Sequence, residues 1–383
     1  MKILYLQFSD LRYYPPIVHS SNILRQSGHS LTMLAIKSRE DASSLDLSDD
    51  IERRLLLLNE ETSILKTYAR FVSRALELTL KIRPDIIYAS DPLSTPATAI
   101  LSKIHKARII YHEHDAMTET KSIFRRATMR SRRVILKNSW ITIFPNSGRQ
   151  EFAGLSPCNS NSFVVFNCPS ANELLETPGV KANRPFRLYY HGNLSQHRLP
   201  MTVLKALQQL PSSFELDFAG WNAKFSPSYI DDFLQYAKDL GLENRVRYHG
   251  IRSRKNLLEI ANHCHLGLCL GPLNTDNPNE IWLAGASNKS FDYLSVGLPF
   301  LMNDLPDWNE LYRTEYMGFS CNPEIPESIA SAVLQVEQHY KTHPHFGQTF
   351  REKVRTSWNY ESQFQPVLNK IDKLQSTQLH PPD

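Results

Sequence analysis

The sequence lacks any apolar run that approaches the roughly 20 residues a helix needs to cross a bilayer. Its opening stretch, MKILYLQFSD, turns polar at Gln7, too early for the apolar region of a signal peptide. We therefore expect a cytoplasmic protein. If its substrate is linked to a membrane, the protein is expected to act peripherally, at the inner membrane face.

Cysteine is also scarce, and no C-x-x-C pair occurs among the five cysteines at positions 158, 168, 264, 269 and 321. An odd number without paired spacing argues against a disulfide framework and favours a reduced compartment. Charge of one sign is not in large excess either, because the net charge is only +4. Such a balance does not by itself indicate nucleic acid, although it is compatible with anionic small molecules or lipid head groups.

Short β-rich runs alternate with helical patterns along the whole chain, which is too long for one ordinary core. Near-continuous apolar strands separated by helices indicate parallel sheets covered on both faces.

The alternation lapses between residues 168 and 186, where three prolines interrupt it, and then restarts. We therefore predict an α/β protein with two Rossmann-like domains. The predicted parts are a first domain (1–170), a linker (171–186), a second domain (187–355) and a C-terminal helix and tail (356–383).

An acidic residue stands inside an apolar run in ASNKSFDYLSVGLPFLMN, residues 286–303. Ser287 or Asn288 is a suitable N-cap, and Gly297 ends the helical pattern. The free N–H groups of the first turn, together with Lys289, can hold an anion, and Asp292 one turn further can accept hydrogen bonds from a sugar diol. Phosphates followed by a diol describe a nucleotide. The alternative is an amphipathic helix whose Lys–Asp pair faces water, and spacing alone leaves the two equally supported.

The segment NKSFDYLSVGLPFL resembles the NKxFEYLAxGxPV segment of GT-B glycosyltransferases, specifically of family four and its relatives. This resemblance implies that Asp292 binds the ribose of a nucleotide-sugar donor, which would explain why an acid is tolerated there. It also implies a GT-B fold, in which two Rossmann-like domains face a central cleft. The segment SWNYES, residues 357–362, is similar to the point from which a C-terminal helix crosses back to the first domain.

Further segments follow in the family's order. YYHGNLSQHRLPMTVLKAL (189–207) is similar to the first strand and turn of the donor domain, where Arg198 matches a basic residue that contacts the phosphates. Asn193 departs from an arginine that many members carry. His114, in IIYHEHD, matches a histidine near the transferred sugar. The resemblance implies catalytic roles for His114, Arg198 and Lys289, and donor binding by Gly192, Asn193, Arg198, Gly250, Glu280, Asn288, Lys289 and Asp292.

Two departures from the family pattern affect the site. The family's E-x7-E pair would place its first glutamate at Ala284, so Glu280 takes that role if the loop is longer. The glycine-rich acceptor loop after the first strand is replaced by the aromatic, proline-rich FSDLRYYPP. The expected acceptor-side residues are Asp10, Tyr13, Asp91 and Asp115.

We find no metal-ligand spacing in the sequence. His112 and His114 lie at strand spacing, but no recognised third ligand follows, and no DxD-like aspartate pair occurs. We therefore expect no cofactor and a metal-independent reaction.

Residues 121–137, KSIFRRATMRSRRVILK, predict a helix with a basic stripe. Arg126, Arg130, Arg133 and Lys137 lie on one side, while Ile123, Ala127 and Val134 lie on another. The stripe fits an anionic membrane surface, and it equally fits a solvated helix face. Interleaved aromatic residues are lacking, so nucleic acid is not an expected partner.

The predicted function is transfer of a sugar from a nucleotide-diphosphate donor to an acceptor hydroxyl in glycan biosynthesis, with retention of anomeric configuration implied by the resemblance. The expected partners are a nucleotide sugar and a glycan or lipid-linked acceptor. Two alternatives stay open. One is a nucleotide-sugar epimerase, for which His112, Glu113, His114, Asp115 and Glu280 are the available acid/base groups. The other is a catalytically silent scaffold, suggested by Ala284 and Asn193.

Overall fold

The computed structural model describes residues 1–11, 14–38, 47–58, 63–117, 122–179 and 185–379, with the side chains of 377–379 left aside. The chain divides into two compact units, one formed by residues 1–167 with 360–383 and the other by residues 168–359. The described residues of the predicted linker, 171–179 and 185–186, belong to the second unit, and they contain a short 3₁₀ turn, Ala171–Glu173.

The first unit contains a seven-stranded sheet in which every described strand pair is parallel. Its strands are β1 (Lys2–Asp10), β2 (Ser30–Ser38), β3 (Glu52–Leu58), β4 (Ile86–Ser90), β5 (Arg108–His112), β6 (Ile141–Phe144) and β7 (Ser162–Val164). Its helices are α1 (Pro15–Gln26), α2 (Ile64–Ile82), α3 (Thr95–Ile104), α4 (Ile123–Asn138) and α5 (Ser147–Phe152), with a 3₁₀ turn at Pro92–Ser94.

The strand order in this sheet is β3-β2-β1-β4-β5-β6-β7, so the direction of strand addition reverses between β1 and β4. Strand β4 is buried along its whole length, as expected for a parallel strand covered by helices on both faces. In open α/β sheets, ligands bind outside the carboxyl ends of the strands at such a reversal. A ligand site is therefore expected at the carboxyl ends of β1 and β4.

The second unit repeats this plan with a six-stranded parallel sheet of order β10-β9-β8-β11-β12-β13. Its strands are β8 (Phe186–Leu194), β9 (Phe214–Asn222), β10 (Val246–Tyr248), β11 (Leu266–Cys269), β12 (Phe300–Asn303) and β13 (Gly318–Cys321). Its helices are α6 (Thr202–Gln209), α7 (Tyr229–Asp239), α8 (Arg254–Asn262), α9 (Pro278–Ile281), α10 (Asn288–Ser295), α11 (Pro306–Trp308), α12 (Pro326–Thr342) and α13 (Gly347–Thr356), with a π-helical turn at Asn309–Arg313 and a 3₁₀ turn at Thr314–Tyr316. Here the reversal lies between β8 and β11.

The last helix, α14 (Tyr360–Leu379), belongs to the first unit although the preceding residues belong to the second. Its apolar residues Tyr360, Phe364, Val367 and Ile371 are fully buried in the core shared with β1 and α1. The predicted return of the chain to the first unit is thus observed. Among the described residues, no helix is both long and apolar enough to span a membrane.

Candidate active site

Glycines form the carboxyl edge of the second sheet. Strands β8 and β9 carry Gly192 and Gly220 in register, with φ of +117° and +140°, and Gly250, with φ of +75°, follows β10. A Cβ added at Gly220 would lie 1.8 Å from the carbonyl oxygen of Gly192. Only glycine permits this approach, because side chains are excluded by both the conformation and the space. Near the ends of β8, β9 and β10 this edge therefore presents backbone without side chains, and β8 lies next to the reversal of the sheet.

Helix α10 begins beside this edge. Its N-cap residue, Ser287, makes no side-chain capping hydrogen bond, so the N–H groups of the first turn keep no such partner. Asn288 is the first helical residue. The Lys289 ammonium lies 5.5 Å from the centre of the Tyr190 ring. A Cβ added at Gly192 would lie 3.9 Å from the same ammonium nitrogen. The predicted residues Gly192, Asn288 and Lys289 therefore share one corner of the unit.

Two further predicted residues carry opposite charges in the same region. The Arg198 guanidinium lies 3.8 Å from a carboxylate oxygen of Glu280, which also accepts a hydrogen bond from the Thr275 hydroxyl at 2.7 Å. Burial lowers the pKa of Lys289, and the positive charge of Arg198 lowers it further. Arg198 and Lys289 are thus close enough to repel each other. An anionic ligand between them would relieve that repulsion.

Asp292 is 2% exposed and is bound by two side chains of the protein. Arg254 lies 2.6 Å from one carboxylate oxygen and 3.3 Å from the other, and His191 Nε2 lies 3.1 Å from the second oxygen. Arg254 also forms an ion pair of 2.7 Å with Glu173. The buried acid is therefore stabilised by an internal cation and a histidine, and not by a ligand alone, which corrects the expectation from the sequence.

Sequence reasoning missed His191 and Arg254, although two signals were present. The tripeptide Tyr-His-Gly occurs twice, at residues 190–192 within the last part of β8 and at residues 248–250 where β10 ends, and each histidine pairs with an aspartate: His249 lies 2.7 Å from Asp217. Arg254 is the first residue of α8, where a positive charge opposes the helix dipole. A cation in that position needs a nearby acid, and here Asp292 and Glu173 provide it.

In the first unit, Asp91 follows β4 at the reversal of the sheet. It is 8% exposed, and its φ of 62° is rare for a residue other than glycine. Its carboxylate accepts hydrogen bonds from the backbone N–H groups of His114 (2.8 Å) and Asp115 (3.3 Å) and from Gln7 Nε2 (3.3 Å). Burial and the neighbouring charge of Asp115 raise the pKa of Asp91 to about 7. Asp91 can therefore exchange a proton near neutral pH.

His114 lies in the same cluster. Its ring centre is 3.9 Å from that of His112, whose Nδ1 lies 2.7 Å from the Tyr88 hydroxyl. Neither ring nitrogen of His114 has a hydrogen-bond partner among the residues that the structure describes. Burial, with the charge of Arg149, lowers the pKa of His114 to about 3, so the ring is neutral at physiological pH. A neutral, buried imidazole is available to a ligand that enters this edge.

The other expected acceptor-side residues are placed differently. Asp115 is half-exposed, lying 3.8 Å from the Arg149 guanidinium and 3.3 Å from the Tyr14 hydroxyl. Asp10 is buried at the end of β1. Tyr13 lies outside the described residues. Glu113 accepts a hydrogen bond from the Tyr111 hydroxyl and forms a bidentate pair with Arg132, at 2.5 and 2.7 Å.

We expect the raised pKa of Asp91 to make stability depend on pH. Between about pH 4 and pH 7 the unfolded carboxyl has lost its proton while the folded one keeps it, so the free energy of unfolding falls as pH rises and levels off above pH 7. The wild type should therefore lose about 2 kcal/mol relative to Asp91→Asn between pH 5 and pH 8.

Urea titrations of both proteins across this range measure the difference. Asp115→Asn is the matched control, because loss of its charge should move the window to lower pH. A stability difference between wild type and Asp91→Asn that stays constant with pH would contradict the assignment.

Within the described ranges, no group of three or more His, Cys, Asp or Glu side chains is arranged to hold a metal ion.

Solved structures with the same fold cover nearly the whole chain. HepE of Anabaena, in complex with UDP and glucose, aligns with a TM-score of 0.72 at 16% identity, over 97% of this chain and 100% of its own. Sucrose-phosphate synthase of Thermosynechococcus elongatus aligns with a TM-score of 0.74 at 13% identity, over 98% and 100%. These likenesses confirm the predicted α/β class and the GT-B fold of glycosyltransferases.

The fold also includes a putative UDP-N-acetylglucosamine 2-epimerase from Listeria monocytogenes, which aligns with a TM-score of 0.62 at 13% identity over 100% of this chain and 97% of its own. The sequence itself matches no protein-family model and no curated protein. The structural likenesses establish the fold only. A statement about activity has to be based on the residues of the site.

Proposed function

We propose that this protein is a glycosyltransferase that moves a sugar from a nucleotide-diphosphate donor to an acceptor hydroxyl. The observation that carries the proposal is the corner of the second unit where Lys289, Arg198 and the first turn of α10 lie beside the glycine edge. Two cations, and first-turn N–H groups that the N-cap side chain leaves uncapped, beside a glycine-lined edge suit a diphosphate. The UDP and glucose bound to the structurally similar HepE support this choice of ligand class.

The reaction requires mainly electrostatic stabilisation of the departing diphosphate. As the bond between the anomeric carbon and the diphosphate oxygen breaks, negative charge grows on the departing diphosphate, and Lys289 and Arg198 would stabilise it. Their fixed positions limit the reorganisation needed at the moment of reaction. These charges fill the role that a metal ion plays elsewhere, so we propose a metal-independent reaction. Retention of configuration is proposed from the family resemblance alone.

The remaining donor contacts follow from the same edge. Gly192, Asn193 and Gly250 would present backbone to the diphosphate and the base, while Glu280 would orient Arg198. Asp292, with Arg254 and His191, would form the ribose side of the site. On the first unit, Asp91 and His114 would contact the acceptor or the transferred sugar, and the acceptor would be a glycan or a lipid-linked saccharide.

A thermal-shift screen against nucleoside diphosphates and their sugars tests the proposal, because a ligand that binds only the folded state raises the melting temperature. At least one diphosphate and its sugar should raise it, and the corresponding monophosphate should raise it less. The sugar nucleotide that binds is then given with candidate acceptors, with and without EDTA. Transfer should survive EDTA, and the product should keep the donor's anomeric configuration by NMR. No shift with any nucleotide would favour the scaffold alternative.

A nucleotide-sugar epimerase is the second candidate, favoured by the epimerase of the same fold and by one local observation. The pKa of Asp91 is raised to about 7 next to the neutral ring of His114, so the first unit holds groups able to move protons. Incubation of the donor without any acceptor separates the two candidates. Interconversion of the sugar supports the epimerase, whereas an unchanged sugar supports the transferase.

We also propose that the exposed face of α4 contacts an anionic membrane surface, which would bring a lipid-linked acceptor within reach. Ile123 is 78% exposed and Val134 50% exposed, and Arg126, Arg130, Arg133 and Lys137 are exposed around them. The buried face of the helix instead carries Thr128, Arg132, Ile135 and Leu136. Exposed apolar side chains among cations fit the boundary between lipid head groups and acyl chains.

Reversing two of these charges, in Arg126→Glu with Arg130→Glu, should weaken binding to phosphatidylserine vesicles at least tenfold, since each cation contributes about 1 kcal/mol near such a surface. Vesicle co-sedimentation at several salt concentrations measures the change. The matched control, Lys205→Glu with Lys238→Glu on the exposed faces of α6 and α7, should bind as the wild type does. Equal binding by both variants, or binding that ignores salt, would contradict the contact.

A further inference from the structure

Trp221 is an exposed tryptophan at the carboxyl edge of the second sheet. It follows Gly220 near the end of β9 and is 40% exposed. Its side chain makes no ring contact, cation contact or hydrogen bond with any residue that the structure describes. Three other tryptophans, Trp140, Trp308 and Trp358, each pack against a ring or a cation. The indole of Trp221 is therefore open to contact with a ligand.

The neighbouring strands place Trp221 within the proposed donor site. On one side it is in register with Asn193, the residue that follows Gly192. On the other side the Gly220 N–H donates a hydrogen bond to the carbonyl oxygen of Gly250 at 3.1 Å, so the chain that follows β10 runs beside residue 221. Trp221 thus lies between two of the predicted donor-binding segments.

The proposed ribose side of the site lies one strand away. His191 Nε2 is 3.1 Å from an Asp292 oxygen. His191 is in register with Ala219, two residues before Trp221. With about 4.8 Å between strands and about 3.3 Å per residue, the Cα atoms of His191 and Trp221 are roughly 8 Å apart. A nucleobase is attached directly to C1′ of the ribose, so an indole at this distance can reach it.

A base suits the indole better than the other parts of the donor do. The diphosphate requires charges and N–H groups, which the corner around Lys289 supplies. Every nucleobase has a flat π face, and stacking on an aromatic side chain tolerates any of them. A single exposed apolar residue is ordinary on a protein surface. Trp221 differs because it lies beside the glycine edge, where the site otherwise offers backbone.

We propose that the indole of Trp221 stacks on the base of the sugar nucleotide. This inference rests on the proposed function of the second unit. It adds an affinity-determining residue at the base, next to the phosphate corner and the ribose side. Because stacking tolerates any base, Trp221 contributes affinity, and the choice of base is left to other groups.

Ribose 5-diphosphate, which lacks the base, isolates the contact from the rest of the site. Replacing Trp221 by alanine should weaken binding of the nucleoside diphosphate about 10- to 100-fold and leave the affinity for ribose 5-diphosphate unchanged. Trp221→Phe should recover most of the loss because it keeps an aromatic face. Trp221→Leu, which keeps apolar bulk without one, should recover little. Isothermal titration with UDP, GDP, ADP and ribose 5-diphosphate measures these affinities.

Tyr316→Ala is the matched control. Tyr316 is also an exposed aromatic residue of the second unit, but it precedes β13, at the amino edge of the sheet. This variant should bind the nucleoside diphosphate as the wild type does. Melting temperatures report whether each variant folds, and if Trp221→Ala does not, the comparison of Trp221→Phe with Trp221→Leu decides.

The outcomes distinguish this inference from the function on which it rests. A wild type that binds none of UDP, GDP and ADP contradicts the proposed function, and the role of Trp221 with it. A wild type that binds one of them, with unchanged affinity in folded Trp221→Ala, overturns only the role of Trp221. Equal weakening of the nucleoside diphosphate and ribose 5-diphosphate would overturn it as well, because the indole would then act on the ribose or the phosphates.

Discussion

Replacing Lys289 by methionine should lower kcat about 100-fold, with a smaller change in the affinity for the donor. Methionine keeps most of the apolar stem that lies by Tyr190 and removes the charge. Negative charge on the diphosphate grows as the sugar departs, so a cation fixed beside it contributes more to the transition state than to the ground state. The loss of one such group typically costs about 10² to 10³ in kcat.

Steady-state kinetics with the identified donor and acceptor measure this effect. Lys238→Met is the matched control, because Lys238 is an exposed lysine on α7 of the same unit, and its kcat should match the wild type. If Lys289→Met kept kcat within about twofold of the wild type while remaining folded, leaving-group stabilisation by this lysine would be wrong.

Replacing Asp292 by alanine should reduce the free energy of unfolding by about 3 kcal/mol. Removing one partner of a buried ion pair leaves the other partner without compensation, at a cost of about 3 to 5 kcal/mol. The lower end applies here because the Arg254 side chain is 27% exposed and keeps its ion pair with Glu173. Loss of Asp292 also frees the His191 ring, so donor affinity should fall together with stability.

Urea titration monitored by fluorescence measures the stability change. Asp276→Ala serves as the control, since Asp276 is exposed and has no hydrogen bond or ion pair to any described residue. It should unfold as the wild type does. A loss below about 1 kcal/mol for Asp292→Ala would mean that the pair is solvated and contributes as little as a surface ion pair.

The sheet framework could be predicted from the sequence, because buried parallel strands appear as short apolar runs. Glycine residues mark the ends of several of these runs. Gly192, Gly220 and Gly250 were recognisable in this way, and the structure places all three at one edge. The position of α10 was also predictable, from a polar N-cap at Ser287 and the stop at Gly297. These features depend on local sequence, which periodicity reports directly.

The partners of Asp292 were not predictable, because they depend on contacts between distant parts of the chain. Arg254 is 38 residues away and His191 is 101 residues away. No local pattern connects them, and only the packing of α8 and α10 against the end of β8 brings them together. The same holds for the bond from Arg132 to Glu113, which places one arginine of the basic helix α4 inside the first unit.

Isothermal titration of nucleoside diphosphates into the wild type, and into the double variant Arg198→Ala with Lys289→Met, tests the central claim most directly. The claim is that this corner of the second unit binds the diphosphate of a sugar nucleotide. The account predicts that at least one diphosphate binds the wild type, more tightly than its monophosphate, and that the double variant loses most of this affinity. Unchanged affinity in the folded double variant, or equal affinity for mono- and diphosphate, would contradict it.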